Sequence, residues 1–120
     1  MKIINNAKPH MVISIHPNSY SDSSQRGAQV FYQEDDKVSN KFADCVQSQL
    51  VRQLPYARVA SNKGDYYLLK ESKLPAILIE CGYLTNVEEE IMLNDDSYQD
   101  RVAYAIMCGV VRYFGLCGND

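Results

Sequence analysis

The sequence lacks the features that mark several large classes of protein. No apolar run approaches the roughly 18 residues that a membrane span needs. The net charge is −3 and the basic residues form no cluster, so no nucleic-acid partner is expected. The first residues are followed at once by Asn5, Asn6 and Lys8, which leaves no apolar segment for a signal peptide in this chain.

The four cysteines also lack a metal-binding arrangement. They fall on no C-x-x-C spacing, so we interpret them as reduced thiols that act as small buried hydrophobic side chains: Cys45, Cys81, Cys108 and Cys117. With 120 residues, of which 46% are hydrophobic, the chain has the size and composition of one domain with one core. Residues 1–120 are therefore predicted to form a single domain.

Apolar patterns in the first two thirds of the chain predict strands and one long helix. Residues 11–16 and 76–79 are nearly continuous apolar runs, which are typical of strands buried on both faces, and residues 27–32 have β-propensity. Residues 65–70 fit either a turn of helix or a strand. A helix is predicted over residues 37–54, ended by Pro55, because apolar residues recur every four positions: Val38, Phe42, Val46, Leu50 and Leu54.

Two further helices are predicted near the carboxyl terminus. Thr85 and Glu88 have the spacing of a capping box, which starts a short helix through Leu93. A final helix opens at Asp96 or Ser97, ends at Gly115 and presents one apolar face: Val102, Ile106, Val110 and Phe114. Apolar strands separated by helices predict an α/β fold with a mainly parallel sheet flanked by helices on both sides.

Two of the predicted strands end in side chains that can bind a metal or move a proton. His16 precedes Pro17 and a polar loop over residues 17–26, and Glu80 precedes the turn at Gly82. In open α/β sheets the chemistry lies beyond the carboxyl ends of the strands, so His16 and Glu80 are candidates for one site. The alternatives are structural: a hydrogen-bonded histidine, and a glutamate that forms an ion pair or caps the turn.

The segments that carry these residues resemble the zinc-dependent N-acetylmuramoyl-L-alanine amidases of bacterial cell-wall metabolism. The resemblance spans residues 5–114 and is most specific in the last of four segments: residues 14–18 (SIHPN), 27–32 (GAQVFY), 67–70 (YLLK) and 75–86 (PAILIECGYLTN). It implies a mainly parallel sheet flanked by helices, and a hydrolase that cleaves the amide between the lactyl group of muramic acid and L-alanine of the stem peptide.

The resemblance also implies a cofactor, residue roles and a location. His16 matches a zinc ligand, and Glu80 matches the general acid/base that takes a proton from zinc-bound water and passes it to the leaving nitrogen. Asn18 is a weaker candidate for contacting substrate. The partners implied are peptidoglycan and muropeptides. The resemblance also implies that the parent protein acts outside the cytoplasm, at the cell wall, in division, sporulation or lysis.

The chain departs from the family pattern in its metal ligands. In the family, the first histidine ligand and the glutamate ligand come from a segment ahead of the region where this chain begins. The amino-terminal strands of the family fold are therefore expected to be missing from this chain. His10 is a poor substitute, because six residues of strand separate it from His16 by roughly 20 Å. Residues 34–36 are interpreted as a solvated turn or helix start. We expect an exposed sheet edge or apolar face, and self-association through it.

Two other functions stay open at this point. In a thiol hydrolase, Cys81 and His16 would form the site; adjacent Glu80 and Cys81 point to opposite faces of a strand, so only one can meet His16. A non-catalytic module would keep the fold and bind wall fragments, with the loop over 17–26 either lining a groove or simply solvated. Tyr66 and Tyr67 are interpreted as packing residues.

Overall fold

A computed structural model describes residues 2–7 and 10–117 of the chain, with the backbone alone for residues 5–7, 116 and 117. The elements follow one another in the order α1 (Lys2–Ala7), β1 (Val12–Asn18), β2 (Gln29–Tyr32), α2 (Lys37–Gln53), β3 (Asn62–Lys63), α3 (Tyr67–Glu71), β4 (Ala76–Tyr83), α4 (Val87–Leu93) and α5 (Asp96–Cys117).

The strands form one mixed sheet in the order β1-β4-β2-β3. β1 pairs with β4 and β2 with β3 in parallel, whereas β2 and β4 are antiparallel. The predicted α/β fold with a mainly parallel sheet is therefore confirmed, with one antiparallel pairing at its centre. β4 lies between two strands and is buried along its whole length, which explains its continuous apolar sequence.

Helices cover both faces of this sheet. Ile77 and Ile79 of β4 point to the face that carries α2 and α5, where the main core lies. Ala76 and Leu78 point to the opposite face, where they pack with Leu69 of α3 in a smaller cluster. The two long helices approach closely at Gly109, where a Cβ atom would lie 2.6 Å from Val46 Cα. The faces alternate along the strand, so residue parity decides which face each side chain reaches.

The helix predicted over residues 37–54 is confirmed as α2. Asp36 caps it by accepting a hydrogen bond from Ser39 N at 3.0 Å, so the acidic run over residues 34–36 is a helix start, as predicted. The stripe is buried from Phe42 to Leu54 but not at Val38, which is 46% exposed. Val38 lies in the first turn, ahead of the region that α5 covers.

Four local predictions need correction or completion. α4 is capped by Asn86, whose side chain accepts from Glu89 N at 3.1 Å, and not by Thr85. α5 continues through Gly115 to Cys117, and its apolar stripe is buried at Val102 and Ile106 but leaves Phe114 40% exposed. Residues 67–71 are helical. Neither α1 nor the two-residue β3 was predicted, because both are too short to show a periodic pattern.

Candidate active site

His16 and Glu80 lie side by side at the carboxyl end of the parallel pair β1 and β4. They are register partners, and because parity places them on one face of the sheet, their side chains meet. His16 Nδ1 lies 3.3 Å from Glu80 Oε2. The structure thus brings together the two side chains that the sequence singled out.

Glu80 is a buried carboxyl group with an unsatisfied oxygen. The side chain is 3% exposed, and Oε2 accepts no hydrogen bond from the residues that the structure describes, because the contact with His16 has the distance but not the geometry of one. Burial raises the pKa of Glu80 above its ordinary value, and the neighbouring His16 acts in the opposite direction. A buried carboxyl oxygen of this kind needs a proton, a water molecule or a cation as its partner.

The strand register changes just beyond this pair. Asn18 pairs with Tyr83, so β4 has one residue more than β1 between the two pairings, and Leu84 N donates to Asn18 O at 2.8 Å. The Asn18 side chain accepts from Ser19 N at 2.8 Å, which shapes the start of the polar loop. Bulges of this kind occur next to active sites because they redirect the chain.

The polar loop is fastened to the start of α4. Tyr20 N donates to Thr85 Oγ1 at 3.1 Å, and Arg26 Nη2 forms an ion pair with Glu88 Oε2 at 2.9 Å. The loop is therefore solvated along its exposed side but held at both ends, beside the carboxyl end of β4.

Glu89 is a site residue that the sequence reasoning missed. It is 1% exposed, and its Oε1 accepts hydrogen bonds from Gly27 N at 2.7 Å and Tyr83 N at 3.1 Å. The side chain of Glu89 thus connects the segment that enters β2 to the end of β4, the strand that carries Glu80. The spacing of Asn86 and Glu89 is the sequence signal that was available, since it is that of a capping box one residue later than the one predicted.

Tyr66 is both a packing residue, as predicted, and a neighbour of Glu80. Its ring lies 5.4 Å from that of Phe31, in the small cluster on the Glu80 face of the sheet. Burial raises the pKa of Tyr66, and the nearby Glu80 raises it further.

Cys81 faces away from this pair. It belongs to the main core with Ile79, and burial raises the pKa of its thiol to about 11. A groove of about 450 Å³ lies on that face between β1 and α5, lined mainly by apolar side chains that include Ile15, Cys81 and Val102. Because Glu80 and not Cys81 meets His16, the structure speaks against a thiol hydrolase.

Two of the described residues at this site fit the donor chemistry of a zinc ion. His16 and Glu80 are donors of the types that zinc takes, and the unsatisfied Oε2 of Glu80 fits a cation nearby. A catalytic zinc normally has three protein ligands. Within the described ranges, 2–7 and 10–117, no group of three or more His, Cys, Asp or Glu side chains could hold a metal.

The family model for N-acetylmuramoyl-L-alanine amidases matches residues 1–112. The chain belongs to this amidase family. The germination-specific N-acetylmuramoyl-L-alanine amidase of Bacillus subtilis is 36% identical over 115 residues, which is 95% of this chain and 48% of that relative. The chain thus spans about half the length of this relative, and the family resemblance stated from the sequence is confirmed.

Solved amidase structures share the fold. The CwlD amidase from Clostridioides difficile, in complex with the GerS lipoprotein, superimposes with a TM-score of 0.89 at 38% identity, over 96% of this chain and 59% of that one. The catalytic domain of CwlV from Bacillus (Paenibacillus) polymyxa gives 0.86 at 32% identity, over 95% and 63%. No helix in the part of the chain that the structure describes is long and apolar enough to cross a membrane.

Proposed function

We propose that this chain carries the acid/base half of a peptidoglycan amidase site, which cleaves the amide between the lactyl group of N-acetylmuramic acid and L-alanine. The observation that supports this most is the pairing of His16 with a buried Glu80 at the carboxyl ends of two parallel strands. Family membership supports the reaction, and the unsatisfied carboxyl oxygen supports the roles.

Glu80 has the environment that a general acid/base requires. Amide hydrolysis needs one group that accepts a proton from the attacking water and then gives it to the leaving nitrogen. Burial raises the pKa of Glu80 toward the range in which a carboxyl group performs both steps. The loop after Asn18 lies beside the carboxyl end of β4, and we assign Asn18 to substrate contact on that ground alone.

His16 is proposed as one zinc ligand. When bound, zinc would supply a Lewis acid that polarises the scissile carbonyl and acidifies a water molecule. The remaining ligands are not found among the described residues of one copy, so we propose that they come from elsewhere in the working assembly.

The residue roles are tested by Glu80→Gln with Glu88→Gln as control, because Glu88 is an exposed carboxylate on the nearby α4. Zinc is titrated into chelator-treated protein, and new amino termini released from muropeptides are counted. We expect Glu80→Gln to abolish release while zinc affinity changes little, and Glu88→Gln to change neither. Loss of zinc affinity in Glu80→Gln would make Glu80 a ligand and would overturn its role as acid/base.

A binding module is the second candidate function. The observation that favours it is the incomplete set of metal donors within one copy. Muropeptide binding by the wild-type chain without any release of amino termini, with zinc present, would support this candidate over the amidase.

We further propose that the parent protein acts outside the cytoplasm at the cell wall, since that is where its substrate lies. Among the described residues β1 forms one edge of the sheet, and it contains no Asp, Glu, Lys or Arg. Uncharged edge strands pair readily with other strands, so we propose self-association through this edge.

A further inference from the structure

Gln29 lies beside Glu80, on the side opposite to His16. Gln29 is the first residue of β2 and is the register partner of Glu80, as His16 is on β1, so the three side chains form one row on the same face of the sheet. Glu80 is 3% exposed, whereas the two side chains that flank it are partly exposed. A ligand that lies over Glu80 can therefore reach both His16 and Gln29.

A hydrogen bond fixes the side-chain amide of Gln29. Its Nε2 donates to Ala60 O at 2.9 Å. The segment that carries Ala60 is itself held beside β2, because Arg58 N donates to Ala28 O at 2.9 Å and the residues that follow form β3 against β2. The amide is thus bound to a backbone carbonyl in a fixed position, and its orientation is set before any ligand binds.

The bond to Ala60 leaves part of the amide's hydrogen-bonding capacity unused. A carbonyl oxygen only accepts, so this bond takes one of the two N–H groups of Gln29 and leaves the second N–H and Oε1 outside it. Glu80 Oε2 has no hydrogen bond from the described residues, so the neighbouring amide does not satisfy it. One N–H donor and one oxygen acceptor are the complement of a peptide group, which has one C=O and one N–H.

The proposed reaction brings a peptide group close to Gln29. In that reaction Glu80 gives a proton to the nitrogen of L-alanine, and the stem peptide continues from this nitrogen. Its first peptide group begins two bonds further on, about 2.5 Å away. Adjacent strands are roughly 4.8 Å apart. A substrate whose scissile nitrogen lies at Glu80 can therefore place that peptide group within hydrogen-bonding distance of Gln29.

We propose that Gln29 binds the first peptide group of the stem peptide, the one that follows L-alanine, and so favours muramoyl peptides over shorter muramoyl amides. Oε1 accepts from the N–H of this group, and the second N–H of Nε2 donates to its C=O. The proposal rests on the proposed function, because it takes Glu80 as the residue that protonates the leaving nitrogen. If Gln29 only held the segment around Ala60, its replacement would affect all ligands alike.

Two uncharged ligands isolate this contact. N-acetylmuramoyl-L-alanine methylamide contains the peptide group, and the ethylamide of N-acetylmuramic acid ends just before it. Binding to the full 120-residue chain is measured by NMR titration after chelator treatment, so that neither ligand is hydrolysed. We expect Gln29→Met to weaken binding of the methylamide about tenfold, the effect of losing one or two neutral hydrogen bonds, and binding of the ethylamide less than about twofold.

Gln99→Met is the matched control. Gln99 Nε2 also donates to a backbone carbonyl, Leu93 O at 2.8 Å, but Gln99 lies on α5 at the other face of the sheet. Its replacement should leave both affinities unchanged. In wild type, the side-chain amide signals of Gln29 should shift with the methylamide and not with the ethylamide, which is a measurement that needs no variant to fold.

Two results would overturn the contact and leave the proposed function to its own test at Glu80. These are equal changes of affinity for the two ligands in Gln29→Met, and Gln29 amide signals that do not respond to the methylamide. Wild type that binds neither ligand would overturn the contact and the proposed function together.

Discussion

Glu89 gives the sharpest test of how this site is held together. Replacing it with alanine removes the acceptor for Gly27 N and Tyr83 N, whose hydrogen bonds measure 2.7 and 3.1 Å. Both bonds are buried, and a buried donor left unsatisfied costs about 1–3 kcal/mol. We therefore expect Glu89→Ala to lower the free energy of unfolding by about 3–5 kcal/mol, a large part of the stability of a domain of this size.

The assay is urea unfolding followed by circular dichroism, with the neighbouring Glu88→Ala as control. Glu88 lies in the same first turn of α4, but its ion pair with Arg26 is exposed, so its removal should cost less than about 1 kcal/mol. Glu89→Gln keeps one acceptor oxygen and should fall between the two. Equal effects of Glu88→Ala and Glu89→Ala, or a loss below about 1 kcal/mol for Glu89→Ala, would refute the assigned role.

Three further predictions concern the Cys81 thiol, the pH dependence of stability and Gly27. At a pKa of about 11, roughly one Cys81 thiol in a thousand is ionised at pH 8, so iodoacetamide should label it slowly until the chain unfolds; rapid labelling in the native state would contradict its burial. Burial also raises the pKa of Tyr98 to about 12, and both folded pKa values exceed the unfolded ones of about 9 and 10. Because both groups keep their protons more firmly in the folded state, their contribution to the free energy of unfolding is present below pH 9 and should be lost between pH 9 and 12. The loss over this range should be smaller in Cys81→Ala. Gly27 has a φ of 105°, and a Cβ there would lie 2.3 Å from Tyr56 O, so Gly27→Ala should cost about 2 kcal/mol or more in thermal unfolding. The control is Gly115→Ala, because the added Cβ would have no described neighbour within 4 Å outside the adjacent residues and its own helix backbone. Helix propensity predicts that this change raises the free energy of unfolding by up to about 1 kcal/mol. Similar effects at Gly27 and Gly115 would refute the reasoning.

The elements that were predicted well are those whose signal is local. α2 follows from the spacing of Phe42, Val46 and Leu50, which puts one face of the helix in the core wherever that core lies. β4 follows from a continuous apolar run, because a strand buried on both faces needs apolar side chains at every position. The misplaced cap of α4 and the predicted end of α5 at Gly115 show the limit, since helix ends depend on which neighbouring groups satisfy the terminal backbone.

The residues of the candidate site divide into the same two groups, those with a local sequence signal and those without one. His16 and Glu80 were predictable individually because each follows an apolar run, and the family resemblance pointed to the same two residues. Glu89 was not, because its function depends on Gly27, which is 62 residues away along the chain. Tyr66 was assigned to packing alone, because its nearness to Glu80 depends on how α3 lies over the sheet.

By itself the sequence determined the fold class, the family and the two strand ends proposed to carry the chemistry, since these follow from local apolar patterns and short motifs. Only the tertiary structure decided that β2 runs antiparallel beside β4, that His16 meets Glu80 and not Cys81, and that β1 pairs only with β4 among the described strands. Strand order and register arise from contacts between distant segments, whose energies depend on the whole core. No local pattern of residues encodes them.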